Sequence, residues 1–249
     1  MKGVTVIHLS PNDVTRSLTL RWKINVTFKS MVGGYLIDPR IRSYMPSRTP
    51  HDSYSFIGGE LCLDFINTLG GMRGKETKEY LQDYNDLVNW ASKAKIILPE
   101  IKDELVEGSR YRASMVKEVY QRSLEFRECL YRVLESHLEE QYPNAEDMEI
   151  INSEQTEANK HLKLVFDRGG YSWRFDERTT REDFVLWLIV HSACRLLTSD
   201  LLGYLKICGS STCGWMFLDQ SKNKSRRWCE MKTCGNRTKQ KSFRTTKAI

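Results

Sequence analysis

The stretch CGSSTCGWMFLDQSKNKSRRWCEMKTCGNR, residues 208–237, holds four cysteines in two pairs. In each pair, Cys208 with Cys213 and Cys229 with Cys234, four residues separate the cysteines, and fifteen residues lie between the pairs. Zn²⁺ prefers thiolate ligands in a tetrahedron, and a loop of hairpin length can bring two such pairs together. The stretch has too little apolar content to fold by packing alone, so bound metal would supply part of its folding free energy. The spacing therefore predicts that these four cysteines bind Zn²⁺.

The residues between and after the cysteines predict a small hairpin followed by a helix. Residues 215–218 are typical of a strand that leaves the second ligand, and residues 226–228 of a strand that returns to the third. Residues 219–225 would form the turn, and a helix would begin near Cys234. This order resembles a treble clef in outline. Trp215 and Trp228 are expected to pack over the metal site, and stacking on bases is the alternative.

Positive charge is concentrated in the same part of the chain. The net charge is +6, yet from residue 203 onward eleven Lys and Arg face two acids, so that the preceding residues sum to −3. Such asymmetry is the electrostatic footprint of a module that meets polyanions. Arginine can pair with a guanine edge, and Arg237, three residues after the fourth predicted ligand, is the best candidate for reading a base. The predicted nucleic-acid contacts are Lys222, Lys224, Arg226, Arg227, Arg237, Lys239, Lys241 and Arg244.

Composition bounds the class of protein. The chain of 249 residues is 40% hydrophobic, which is enough for a real core. It contains no secretory signal pattern and no apolar run long enough to span a membrane, which favours a cytoplasmic protein. In a reducing compartment, paired cysteines are metal ligands more often than disulfides. Cys62, Cys129 and Cys194 stand alone in apolar surroundings and are expected to be buried small hydrophobes.

The chain divides into three predicted regions. Residues 1–50 are an unassigned extension, either disordered or the product of a mis-assigned start, with Met45 as the hypothetical native start. Residues 51–205 form a helical domain and residues 206–249 the zinc module. The fold class expected is α+β and predominantly helical: a helical domain with a β-hairpin, plus the small zinc-bound hairpin and helix. Apolar periodicity and breakers predict helices near 60–69, 76–97, 99–106, 114–141, 145–159, 181–197 and 199–205.

The β-hairpin of the helical domain is predicted from two short strands that flank Gly169-Gly170 within residues 163–175. Tyr171, Trp173 and Phe175 alternate, so one face of the second strand is aromatic. Core packing is the expected role of this face, and a ligand wall is the alternative.

Two polar residues interrupt the first apolar stretch. Asp64 and Asn67 either bind a ligand or hydrogen-bond a neighbouring loop. The sequence has no phosphate loop, no dinucleotide fingerprint, no His-Glu-x-x-His and no Gly-x-Ser-x-Gly. Its five histidines are scattered, so we expect that the protein is not an enzyme.

A family resemblance rests on four segments. CGWMFLD (213–219), SRRWC (225–229) and CGNR (234–237) resemble the CGNR zinc-finger family of bacterial proteins. LDFINTL (63–69) is similar to the opening of the ABATE domain that typically precedes this finger. The resemblance covers residues 56–245. It implies a transcription regulator whose finger binds DNA and whose helical domain senses a small-molecule effector.

The interpretation that unites these patterns is a zinc-dependent, DNA-binding transcription regulator whose helical domain senses an effector or forms a homodimer. Three alternatives stay open. The finger can be a protein- or RNA-interaction module, the basic tail can be a solvated segment of no specificity, and an active site can lie near Asp64 and Asn67.

Overall fold

The computed structural model describes residues 54–167, 170–175 and 181–246. The predicted extension at residues 1–50, including Met45, lies outside the described residues.

Seven α-helices and three two-stranded antiparallel sheets form the described part of the chain. The helices are α1 (Leu61–Ile66), α2 (Tyr84–Lys93), α3 (Pro99–Tyr111), α4 (Ala113–Leu138), α5 (Ala145–Asn159), α6 (Phe184–Leu197) and α7 (Asn236–Thr246). The strands are β1 (Leu69–Gly71), β2 (Thr77–Glu79), β3 (Leu162–Asp167), β4 (Gly170–Phe175), β5 (Leu205–Ile207) and β6 (Met216–Leu218), paired β1–β2, β3–β4 and β5–β6. The predominantly helical α+β class is confirmed.

Helix α6 lies at the centre of the helical domain. It is apolar on nearly all sides, which is typical of a buried helix, and nine of its fourteen residues are buried. It packs against α1, α2, α4 and α5. The Ser192 hydroxyl accepts a hydrogen bond from the Cys62 backbone N–H at 3.1 Å and so ties α6 to α1. Among the described helices, none is long and apolar enough to cross a membrane.

Helix α1 is shorter than the sequence predicts. It ends at Ile66, and the chain enters β1, so Gly70 and Gly71 belong to a strand and do not cap a helix. Gly71 has a φ of +88°, and a Cβ on it would lie 2.2 Å from the Glu76 carbonyl oxygen. Only glycine allows this close pairing of β1 with β2.

The helix predicted over residues 76–97 covers only α2. Its first residues are taken into β2, and α2 begins where the Asp83 carboxylate accepts a hydrogen bond from the Asp86 N–H. Helix α3 runs beyond the predicted end near Val106, to Tyr111. Helix α5 has its predicted bounds, and α4 begins one residue earlier and ends three residues earlier than predicted.

The hairpin β3–β4 is confirmed, but its aromatic face is not core along its whole length. Phe175 is buried against α6, near Trp187. Tyr171 and Trp173, on the same face of β4, are 76% and 54% exposed. The expectation of core packing is therefore correct for the base of the hairpin and wrong for its outer part, where β3 and β4 extend beyond the helices.

Candidate metal centre and basic surface

The four predicted ligands lie together. The Sγ atoms of Cys208, Cys213, Cys229 and Cys234 are all within 4.8 Å of one another, and all four residues are buried. Cys213 Sγ lies 3.8 Å from Cys229 Sγ, and Cys229 Sγ lies 3.6 Å from Cys234 Sγ. A tetrahedral ion with metal–sulfur bonds of about 2.3 Å would hold its ligands about 3.8 Å apart. The cluster therefore has the geometry and the donor set of a metal site.

Contacts among the four cluster thiols shift their pKa values in opposite directions, lowering those of Cys208 and Cys234 and raising those of Cys213 and Cys229. Hydrogen bonds from Cys213 and the other two cluster thiols lower the pKa of Cys208, so one thiolate is already favoured in the cluster. Burial instead raises the pKa of Cys62 to about 12 and that of Cys194 to about 11, and these two thiols stay neutral. Metals bind thiolates, so the cluster and not the lone cysteines is suited to bind one.

The hairpin of the metal centre has a different partner strand from the one predicted. Strand β6 pairs with β5, with Ile207 opposite Met216, and residues 226–228 form no strand. Cys208 and Cys213 thus lie in the connection between β5 and β6. The N–H of Cys208 donates to the Trp215 carbonyl at 2.9 Å, which closes this connection. Strand β5 is not predicted from the sequence because its three residues carry little pattern of their own.

The fourth ligand lies in the first turn of a continuous helical segment, as predicted. Met231–Gly235 is a π-helical turn, in which the Gly235 N–H donates to the Glu230 carbonyl, and α7 follows directly. Trp215 and Trp228 pack against the cysteine cluster together with Ile57, as the sequence predicts for both tryptophans.

Strand β6 joins two hydrophobic cores because its side chains alternate between faces. Met216 and Leu218 pack into the core of the helical domain. Phe217, between them, packs with the four cysteines in a second cluster. The metal centre is therefore built onto the helical domain and shares a strand with its core.

Asn67 holds this strand in place. Its Oδ1 accepts from the Met216 N–H at 2.9 Å, and its Nδ2 donates to the Met216 carbonyl at 2.9 Å. The side chain is 3% exposed. Of the two roles that the sequence leaves open for Asn67, these contacts match the hydrogen bonding of a neighbouring segment.

Asp64, like Asn67, is a buried polar residue that supports strand β6, in this case through the loop at Gly58. Its Oδ1 accepts from the Gly58 N–H at 2.7 Å, and it is 1% exposed. Burial raises the pKa of its carboxyl well above the ordinary value, although the bond from Gly58 and the charge of Arg226 oppose this shift. The carbonyl of Gly58 in turn accepts from the Leu218 N–H at 2.7 Å. Asp64 thus shapes the loop that receives β6.

Arg226 is predicted to contact nucleic acid, but in the structure its guanidinium bonds backbone carbonyls of the protein. Its Nε donates to the Trp228 carbonyl at 3.1 Å, and its Nη2 donates to the carbonyls of Ile57 and Cys229. Its guanidinium lies 4.1 Å from the centre of the Phe217 ring. These contacts fasten the loop before the third ligand to the helical domain, and they leave Arg226 poorly placed to meet a nucleic acid.

Asp219 is a structural residue that the sequence pattern places only in a turn. It is buried, and it accepts from Lys206 Nζ at 2.6 Å and from the Arg226 N–H at 2.9 Å. Burial opposes its ionisation, but the bonds from Lys206, Ser221 and the backbone outweigh burial and lower its pKa. An aspartate directly after an apolar strand is the one sequence signal for such a turn.

The remaining cations of the zinc module form an exposed basic surface. Neither carboxylate of residues 206–246 is exposed: Asp219 is buried and Glu230 is partly buried. Lys232, which is not among the predicted contacts, adds to this surface, whereas the side chain of Arg244 is not among those described. The exposed cations among the described side chains are Lys222, Lys224, Arg227, Lys232, Arg237, Lys239 and Lys241.

Arg237 and Lys241 are four residues apart and so occupy one face of α7. Arg237 Nη1 donates to the Thr212 hydroxyl at 3.3 Å, which places this face beside the connection that carries the first two ligands. The Lys224 ammonium lies 3.7 Å from the centre of the Tyr204 ring.

Comparison with known families agrees with this architecture. The model of the ABATE family, described as "Putative stress-induced transcription regulator", matches residues 59–200. The model of the CGNR zinc finger matches residues 204–247. Neither description names an enzymatic activity, and no curated protein matches the chain. The chain belongs to the ABATE family and carries a CGNR zinc finger after the ABATE domain.

Proposed function

We propose that this protein is a transcription regulator that binds DNA through the basic surface of its zinc finger. One observation carries the proposal. Among the described side chains of residues 206–246, seven cations are exposed and no carboxylate is exposed. Such an excess of exposed positive charge attracts the phosphates of a nucleic acid, and the one partly exposed acid of the segment, Glu230, offsets little of it.

Zn²⁺ is the metal that fits the cluster best. Four buried thiolates at tetrahedral separations suit Zn²⁺, and the set leaves no open position for a substrate. When bound, the ion holds the two halves of the finger together. The contacts to DNA come from the lysines and arginines.

The basic residues divide by chemistry. Lys222, Lys224 and Arg227 precede the third ligand and suit phosphate contacts. Arg237 lies on the first turn of α7 and is the residue proposed to read a base, since arginine pairs bidentately with guanine. Lys239, Lys241 and Arg244 extend the basic helix. We leave Arg226 out of the proposed contacts because its guanidinium bonds backbone carbonyls of the protein.

Salt-dependent binding of a duplex tests the proposal. We expect the full chain to bind duplex DNA with an affinity that falls steeply as salt rises, since each neutralised phosphate releases counterions. Replacing Lys222, Arg227 and Arg237 by Gln should weaken binding by at least tenfold and lower the slope of log K against log salt by about 0.9 for each phosphate that is no longer neutralised. Fluorescence anisotropy with a labelled duplex measures both quantities.

A matched control removes the same charge elsewhere. Lys75, Lys95 and Lys117 are exposed on the helical domain, and their replacement by Gln changes the net charge equally. If both triple variants lose affinity equally, net charge alone accounts for the binding, and the proposed contacts from the finger are wrong. Tight binding of single-stranded RNA with weak binding of duplex DNA would instead favour the RNA-interaction module.

For the small-molecule effector, the groove between α4 and α5 is the proposed site. It has a volume of about 720 Å³, within the usual range for ligand pockets. Its lining contains five carboxylates and three cations, and Arg122 is already paired with Glu154 at 2.7 Å and with Asp183 at 2.8 Å. The surplus of carboxylates favours a cationic ligand.

A polyamine tests this charge preference. We expect spermidine to raise the melting temperature of the wild-type protein, and to do so by less than half as much when Glu118 and Glu149, both on the groove, are changed to Gln. The control changes Asp103 to Asn and Glu104 to Gln on α3. Identical shifts in the two variants would exclude the groove.

A further inference from the structure

The outer part of the β3–β4 hairpin exposes an apolar face. Register places Leu164 opposite Trp173 and Phe166 opposite Tyr171, all on one side of the sheet. The four side chains are 55%, 54%, 65% and 76% exposed in that order. Phe166 and Tyr171 already contact each other, with ring centres 5.0 Å apart.

We propose that this face is the contact between two copies of the chain in a homodimer. An isolated two-stranded sheet is marginally stable in water, and a partner that covers its apolar face stabilises it. At the base of the same face, Leu162 and Phe175 are covered by the helical domain. The second copy takes over this covering where the helices end.

The area fits a dimer contact. Fully buried aromatic side chains contribute about 150–250 Å² each. With the exposed fractions above, the three rings and Leu164 offer roughly 500 Å² per chain. Two such faces reach about 1,000 Å² in total, the lower limit of a specific interface. An exposed apolar patch of about 500 Å² is also near the upper end of the range found on monomeric proteins.

The chemistry of the face favours a second copy over a partner of a different kind. The four residues carry no charge, so two copies bring no like charges together. Among the side chains of the two strands that the structure describes, the charged ones are Lys163 and Arg174, and the register places both on the opposite face. Leu164, the smallest of the four, lies across from Trp173, the largest, so that two faces related by a two-fold axis can interdigitate.

The test is the oligomeric state of the full chain by sedimentation velocity over a range of micromolar concentrations. We expect a concentration-dependent dimer, and we expect Phe166→Glu and Leu164→Glu each to raise the dissociation constant at least tenfold. Tyr142→Glu is the control, since Tyr142 is 99% exposed outside the hairpin. Far-ultraviolet circular dichroism checks that each variant is folded.

A chain that is monomeric at every concentration would overturn the proposal. So would a dimer that the two hairpin variants leave unchanged, because the contact would then lie elsewhere. Neither outcome affects the binding of DNA by the finger, which is measured separately.

Discussion

Cys229→Ser should abolish metal binding and unfold the C-terminal finger while the helical domain stays folded. Cys229 Sγ lies next to the Sγ atoms of Cys213 and Cys234, so its loss removes a shared ligand from both halves of the cluster. In zinc-finger peptides the metal contributes about 10–16 kcal/mol to folding. The finger has only a small apolar core besides the metal site, because its hydrophobic cluster holds Phe217, the cysteines and three partly buried neighbours.

The readouts separate the two parts of the chain. We expect the bound zinc, measured by atomic emission, to fall from about one ion per chain to nearly none. Duplex binding should fall to the level of a non-specific basic chain, while most of the helical circular dichroism remains. Lowering the pH of the wild-type protein should release the metal as well, because protons compete with Zn²⁺ for the thiolates.

Cys194→Ser is the matched control, since Cys194 is a half-buried thiol outside the cluster. It should keep both the metal and the DNA binding. A Cys229→Ser variant that retains a full equivalent of zinc would contradict the four-cysteine site, and a metal-free wild-type protein with a folded finger would contradict the need for a metal.

The sequence predicts what depends on local pattern. The spacing of the paired cysteines predicts that they cluster, as the structure shows, and apolar periodicity predicts α4 and α5, with Pro143 between them. Strands β1, β2 and β5 have three residues each and are formed by pairing, so no periodicity can reveal them. The pairing of β5 with β6, which positions the first two cysteines, therefore could not be predicted, because it is made by tertiary contact.

Arg226 and Asn67 show the same limit. Nothing local distinguishes Arg226, whose guanidinium bonds backbone carbonyls, from its exposed neighbour Arg227. Asn67 meets a residue 149 positions further along the chain. The segment LDFINTL, which carries the resemblance to the ABATE domain, is also the segment on which β6 of the finger is held.

Asn67→Ala should therefore destabilise the junction between the two parts. The change leaves the N–H and the carbonyl of Met216 buried without their partner. An unpaired buried backbone group costs about 1–3 kcal/mol, so the two groups together should lower the free energy of unfolding by about 2–6 kcal/mol. Urea denaturation measures the loss, and hydrogen exchange should speed up in β6 while the chain keeps its zinc.

Asn67→Asp sharpens the test because it keeps the acceptor for the Met216 N–H and replaces the donor by an oxygen that faces the Met216 carbonyl. We expect it to be at least as destabilising as the alanine. Asn152→Ala, on the exposed side of α5, should change the unfolding free energy by less than about 0.5 kcal/mol.

The comparison decides between the two roles that the sequence leaves open for Asn67. A ligand-binding asparagine would lose little stability on truncation in the absence of its ligand, whereas an asparagine that bonds β6 loses stability at once. Because β6 carries Phe217 into the metal cluster, Asn67→Ala should also weaken duplex binding even though no basic residue has changed. Unaltered stability and unaltered DNA binding together would return Asn67 to the ligand-binding alternative.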